Sequence, residues 1–278
     1  MNTLSFTILI GAGSAVAGWV GALTGLGGGV ILTPLLTLVF GVDIRYAIGA
    51  TLISVIATSS GAAAAYVREG LSNIRIGMFL EISTTLGAVA GASLALRLPT
   101  AAIAIVFGIV LLVSAFLSSH VQTEPSPSTP SDRIAGYFRM DSTYPSLTGQ
   151  RAYHVQCVPG GFGLMFVAGV ISGLLGIGSG ALKVIAMDQL MRIPFKVSTT
   201  TSNFMIGVTA AASAGIYLKR GYVDPGLAMP VMLGVVAGSF LGARILPKTR
   251  SRVLRAGFGI TVAVLAIEMI YHGLTGRI

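Results

Sequence analysis

Charged side chains are scarce in this chain. Lys and Arg number 18 and Asp and Glu 9 among 278 residues, 10% in all. A soluble domain carries roughly 25% charged residues, so this chain lacks the polar surface to cover several buried helices in water. Cysteine is rarer still. The single Cys157 excludes an intrachain disulfide and any thiolate cluster for zinc or iron–sulfur ligation. The three histidines, His120, His154 and His272, stand near segment ends without HxxxH or HExxH spacing. No nucleophile–His–acid set or paired catalytic carboxylate can be assigned, and neither glycine cluster continues into the Lys-Ser/Thr of a phosphate loop. The expectation is a protein that is not an enzyme, with no metal and no cofactor.

Apolar residues fill the space that charge leaves. They make up 54% of the chain, and the mean hydropathy is +0.86. Apolar stretches of about 18 residues or more recur along most of the length, the pattern of a polytopic membrane protein embedded in lipid. The net charge of +9 is spread in small clusters between these stretches. Such clusters act as anchors at the membrane faces; a nucleic-acid partner would call for one concentrated basic patch. The first apolar run starts close to Met1 without a basic leader and is taken as the first membrane helix, not a cleaved signal.

One glycine-rich stretch occurs twice, each time inside an apolar run. Gly25-Leu26-Gly27-Gly28-Gly29-Val30 leads to Thr33-Pro34, and Gly176-Ile177-Gly178-Ser179-Gly180-Ala181 leads to Lys183-Val184-Ile185. The two stretches start 151 positions apart (176 − 25), and the same offset aligns Tyr66 with Tyr217, Gly70 with Gly221, Gly87 with Gly238, Gly91 with Gly242 and Phe107-Gly108 with Phe258-Gly259. Chance apolar similarity does not hold register across loops, so the chain is an internal duplication. Paired repeats with interrupted helices at corresponding positions are the pattern of a secondary transporter, with its site where the breaks meet. Backbone freed by glycines at membrane depth is tolerated only where protein or a water-filled cavity covers it.

The expected fold is therefore an all-α polytopic membrane protein of two homologous halves. Residues 1–120 form the first transmembrane repeat, 121–157 a polar connector, and 158–278 the second repeat. The Pro/Ser-rich part of the connector, residues 124–131, is expected to be disordered. Each half holds a glycine-broken helix or a re-entrant hairpin, plus three spans. A hairpin gives an odd number of crossings and inverted halves, whereas a kink gives four crossings and parallel halves. The short arm after each break favours inverted halves. The basic residues place the N-terminus outside under both schemes and leave the side of the connector open.

Lys183 is the sharpest candidate residue, because an ionised group at depth is costly unless paired or wetted. Either its ammonium attracts an anionic solute, or it snorkels to the interface. The other candidates for solute contact are Gly27, Gly28, Gly29, Thr33 and Pro34 at the first break, and Gly178, Ser179 and Gly180 at the second. Thr51 joins them from a row that continues through Ser54, Thr58, Ser59 and Ser60, and this row either lines a path or packs helices. Ser202 and Asn203 come from the equivalent polar run of the second half, where the Asn203 amide orients solute or bridges helices. Glu81 and Asp188 are the acidic candidates for coupling to protons. The function expected is a secondary transporter of small anions; the rivals are a channel-like facilitator and a membrane scaffold without transport. Oligomeric state is open.

At these residues the chain resembles the sulfite exporter TauE/SafE family of membrane permeases over essentially its full length. Gly27-Gly28-Gly29 through Pro34-Leu35 is similar to the family's first-half sequence, and Gly178 through Lys183-Val184 to its second-half counterpart. Pro194-Phe195-Lys196-Val197-Ser198 and Thr201-Ser202-Asn203-Phe204-Met205 resemble the run that follows. Ser179 stands where the family often has glycine, and Ile185 where it often has proline. The first change adds a hydroxyl; the second removes a kink and restores a backbone donor. The resemblance implies transport, in the exporting direction, of small sulfur-containing or organic anions such as sulfite, thiosulfate or sulfonates. It also implies a multi-pass protein of a bacterial inner membrane.

Overall fold

The computed structural model describes residues 3–24, 28–68, 70–119, 132–146, 149–245 and 251–276. Its elements in order are α1 (Thr3–Thr24), α2 (Gly29–Pro34), α3 (Ile44–Arg68), α4 (Ile74–Ala95), α5 (Thr100–Ser119), α6 (Arg133–Tyr137), β1 (Ser142–Ser146), β2 (Gly149–Tyr153), α7 (Val158–Leu175), α8 (Gly180–Ile185), α9 (Phe195–Lys219), α10 (Pro225–Ile245) and α11 (Ser251–Thr275). The short helices α2 and α8 each run on into a π-helical segment, Leu35–Val39 and Ala186–Leu190. The architecture is helical throughout apart from the β1–β2 hairpin, and α4 and α7 are long and apolar enough to cross a membrane. Met78, Ile82 and Leu86 recur one turn apart along the exposed side of α4, an apolar stripe that suits lipid and not water.

The helices pair in a way that the repeat offset predicts. α1 packs against α10 and α7 against α4, while α3 packs against α9 and α5 against α11. Replacing each helix by its equivalent 151 positions away turns the first pair into the second and exchanges the members of the other two. The match extends to residues: a β-carbon at Gly87 would collide with the Phe166 carbonyl, and one at the equivalent Gly238 with the Ala15 carbonyl. Only glycine permits this backbone-to-backbone approach, which substitutes for the hydrophobic drive that is missing between helices in lipid.

Contacts also set the directions of the helices. Ser83 Oγ donates to the Phe162 carbonyl at 2.6 Å, and Gly87 and Gly91 lie against Phe166 and Val170, so α4 and α7 run the same way. α3 and α9 run opposite ways. Thr200 Oγ1 donates to the Leu71 carbonyl at 2.9 Å just past the end of α3, while Gly49 near its start lies against Tyr222. α5 and α11 are likewise opposed, with Gly108 against Ala266 and Gly273 against Ala101.

Both arms after the glycine breaks double back along the preceding helix. The Gln156 N–H donates to the Met191 carbonyl at 3.1 Å, and Met191 packs over Gly161, so the end of the second arm lies beside the start of α7. In the first half, the Phe40 ring lies 6.3 Å from that of Phe6 at the start of α1. The π segments begin at Leu35 and Ala186, equivalent positions, although only the first follows a proline. The π segment of the second arm therefore forms without a proline before it.

The described part of the connector folds into α6 and an antiparallel hairpin in which Tyr144 faces Arg151. It docks on the start of α4. Asn73 Nδ2 donates to the Met140 carbonyl at 2.8 Å and to Tyr153 Oη at 2.7 Å, and Arg75 Nη1 donates to the Arg139 carbonyl at 3.0 Å. Burial pushes the Tyr153 phenol up to about 12, so it stays neutral as a docking group. The hairpin is an addition to the all-α expectation. Residues 124–131, expected to be disordered, lie outside the described residues.

Candidate functional site

The two glycine breaks meet at the middle of the molecule. A β-carbon at Gly29 would lie 2.9 Å from Val55, 3.2 Å from Thr51 and 3.5 Å from the Ile177 backbone. One at Gly178 would lie 2.8 Å from Ile206 and 3.5 Å from Val55. Val55 and Ile206 are equivalent residues at the midpoints of α3 and α9, so each hairpin tip is held by both halves. The chain turns at the second tip through Gly178 at φ +73° and Ser179 at φ +46°. The left-handed region is ordinary for glycine and unfavourable for serine, which is held there by its surroundings.

Most of the sequence candidates line these tips. Gly28 caps the start of α2, whose residues, including Thr33 and Pro34, are all buried. Thr33 Oγ1 donates to Thr51 Oγ1 at 3.1 Å, tying the first arm to α3. Ser202 Oγ donates to the Gly180 carbonyl at 3.2 Å, tying the second arm to α9. Ser179 is 4% exposed and its hydroxyl has no hydrogen-bond partner among the described residues. The hydroxyls of Ser14, Thr37, Ser72 and Ser172 share this condition, and Ser179 is the one of them at the second tip. Asn203 is half-buried one residue beyond Ser202. Gly27 lies outside the described residues. Along α3, Ser54, Thr58, Ser59 and Ser60 direct their hydroxyls to carbonyls of their own helix. Thr51 instead bonds to another element.

Lys183 is 0% exposed, and its ammonium points inward, not toward an interface. Its Nζ donates to Thr209 Oγ1 on α9 at 2.5 Å. Thr209 donates in turn to Glu81 Oε1 on α4 at 2.6 Å. Thr84 Oγ1 donates to Glu81 Oε2 at 2.9 Å, and Thr85 Oγ1 to Oε1 at 3.1 Å. Glu81 is 7% exposed, so a cation and an anion are buried two hydrogen bonds apart, one from each half. Subtracting the repeat offset puts Leu32 opposite Lys183 and Thr58 opposite Thr209, and adding it puts Met232 opposite Glu81. The charged centre thus occurs once, against an apolar counterpart. Asp188 is buried too, but sits further along the arm toward its base at Met191. Thr209 was not among the sequence candidates. The signal for it was available, since the 151 offset pairs it with Thr58 of the polar row on α3.

The arrangement offers a buried cation, its counter-ion and an unpartnered hydroxyl at a junction of two interrupted helices. Its chemistry is that of a buried charge pair joined through one hydroxyl. Known membrane transporters resemble the chain over most of its length. The chain is 28% identical to a probable membrane transporter protein, YunE, of Bacillus subtilis (strain 168), over 98% of this chain and 99% of the relative. It is 26% identical to a second from the same organism, YdhB, over 92% and 95%. A sulfite exporter TauE/SafE family protein 1 of Arabidopsis thaliana matches at 30% over 40% of this chain and 25% of its own length. No solved structure matches the chain. The model of the family described as sulfite exporter TauE/SafE matches residues 10–269, and with that span covered the chain belongs to this family of membrane transporters, not enzymes.

Proposed function

We propose that this bacterial membrane protein is a secondary transporter that moves a small sulfur-containing or organic anion, of the sulfite, thiosulfate or sulfonate kind, outward across the inner membrane. The observation that carries the reading is the wholly buried Lys183, three residues past the break where the two hairpin tips meet. A lysine at such depth is a functional group by default, because the membrane interior penalises it. The Ser179 hydroxyl adds a donor without a protein partner. Together they suit the oxygens of a small oxyanion, with Gly178, Gly180, Thr33, Thr51 and Ser202 shaping the surrounding wall.

The same reading takes the halves as inverted repeats, residues 1–120 and 158–278, with the connector at 121–157. The opposed directions of α3 and α9, and of α5 and α11, support it, since these are equivalent helices. A hairpin plus three spans in each half fits the doubled-back arms, and alternating access about a fixed central site follows from that symmetry.

Proteoliposomes containing the purified chain test this directly. With sulfite, thiosulfate, sulfate and methanesulfonate supplied in turn, at least one should accumulate against its gradient when a proton gradient is imposed. Lys183→Gln should lower that flux at least about tenfold by removing the charge that differential binding needs. No solute-dependent flux for any of the four, or a Lys183→Gln variant with unchanged flux and affinity, would sink the reading.

A further inference from the structure

Lys183 cannot neutralise two anions at once. Its ammonium reaches Glu81 through the Thr209 hydroxyl, and the hydroxyls of Thr84, Thr85 and Thr209 lie within hydrogen-bond distance of the two carboxylate oxygens, Thr84 and Thr209 having a backbone carbonyl as alternative acceptor. With Glu81 ionised the centre is neutral as a whole. A solute anion entering beside Lys183 would then leave an unbalanced negative charge in a dry site. With Glu81 protonated, the ammonium lacks a counter-charge, and an anion restores the balance.

We propose that Glu81 is a built-in counter-ion which the solute replaces at Lys183, so that each anion binds together with one proton taken up by the Glu81 carboxylate. This rests on the reading that solute binds at Lys183. Thr209 supplies the moving part. Its Oγ1 lies 2.6 Å from Glu81 Oε1 and 2.9 Å from the Met205 carbonyl, two acceptors for one hydrogen. When Glu81 is ionised that hydrogen points to the carboxylate. When Glu81 takes a proton from water, the carboxylic acid can itself donate, and the threonine hydrogen turns to Met205. No other bond changes, and the proton returns to water when the anion leaves. A monovalent anion then moves with its proton without net charge, so outward movement follows the solute's own gradient and an inward proton gradient opposes it.

The neighbouring groups leave few rivals. On α4 the other ionisable residue is Arg75, exposed and bonded to the Arg139 carbonyl. α7 and α5 carry no titratable side chain, and α9 carries Lys196 and Lys219, exposed near its ends, and the buried phenol of Tyr217, two turns beyond Thr209 and directed to the Gly173 and Leu174 carbonyls. The second arm adds Asp188, with Arg192 just beyond it. Asp188 is the one other buried acid among the described residues. The apolar counterparts Leu32 and Met232 supply no second pair, so the stoichiometry is one proton per anion and per chain.

The test measures the affinity of the full-length chain for sulfite, thiosulfate and methanesulfonate across a pH series. The last two probes keep their charge throughout. Wild-type affinity should rise about tenfold for each unit fall in pH over the window in which one proton is taken up. Glu81→Gln, which mimics the protonated acid, should bind at neutral pH as tightly as wild type does at low pH, with no slope. Glu268→Gln, exposed on α11, should keep the wild-type slope. If Glu81→Gln does not fold, Glu81→Asp, which keeps a titratable acid, should retain the slope. A flat wild-type profile overturns the proposal, as does a slope that survives in Glu81→Gln or vanishes only in Asp188→Asn. Those outcomes leave anion transport standing. Absence of both binding and flux for every probe removes the transport reading itself, and the counter-ion with it.

Discussion

Thr209 shows how much a single hydroxyl does at this centre. A charged side chain at the middle of a membrane helix costs about 3 kcal/mol on insertion scales. Unit charges about 5 Å apart recover about 3 kcal/mol at an effective dielectric of 20, so a lysine and a glutamate recover about half of their joint burial cost by meeting at depth. They do so here only through Thr209, which accepts from one and donates to the other. Thr209→Val keeps the shape and removes both bonds. It should destabilise the protein by about 1–3 kcal/mol, seen as a lower thermal midpoint in detergent, and Thr209→Ser should restore most of the loss. Equal midpoints for the valine and serine variants would show that the bridge carries no energy.

The elements are held by contacts that leave no room for adjustment. At Gly87 and Gly238 the facing group is a carbonyl of backbone, which cannot swing away as a long side chain can. Gly87→Leu should force α4 from α7, and Gly238→Leu should force α1 from α10. Each should cost about 2 kcal/mol or more, in similar measure because the sites are equivalent. Gly215→Ala on α9, which faces open space, should leave the unfolding midpoint in place. Gly87 and Gly91 stand four apart in the sequence, as do Gly238 and Gly242, and that spacing says which face is small and nothing about which helix lies opposite. The π segments carry a similar lesson. A proline marks the first and nothing marks the second, yet both arms make the change at the same register.

At the scale of the whole molecule, the turn between α3 and α4 and the turn between α9 and α10 lie at opposite ends of α9, about 37 Å apart at 1.5 Å per residue over its 25 residues. Inverted halves put these equivalent turns on opposite faces of the membrane. With Cys157 replaced by serine, Arg75→Cys and Lys219→Cys should therefore react from opposite sides with a membrane-impermeant thiol reagent. Labelling of both from one side would make the halves parallel.

Composition was enough to determine a helical membrane protein, because lipid demands long apolar segments, and the 151-residue offset was enough to pair equivalent positions, because a shared register survives across loops. They also singled out Lys183 and Glu81, since ionised groups inside apolar runs stand out on energetic grounds alone. What they could not say was that these two share one hydroxyl. Lys183 and Glu81 sit in different halves, and nothing local to either names its partner. Only the tertiary structure, in which α4 packs between α7 and α9 and the arm folds back along α7, brings the charges within reach of Thr209. Long-range electrostatics is decided by packing, and packing is where sequence spacing stops being informative.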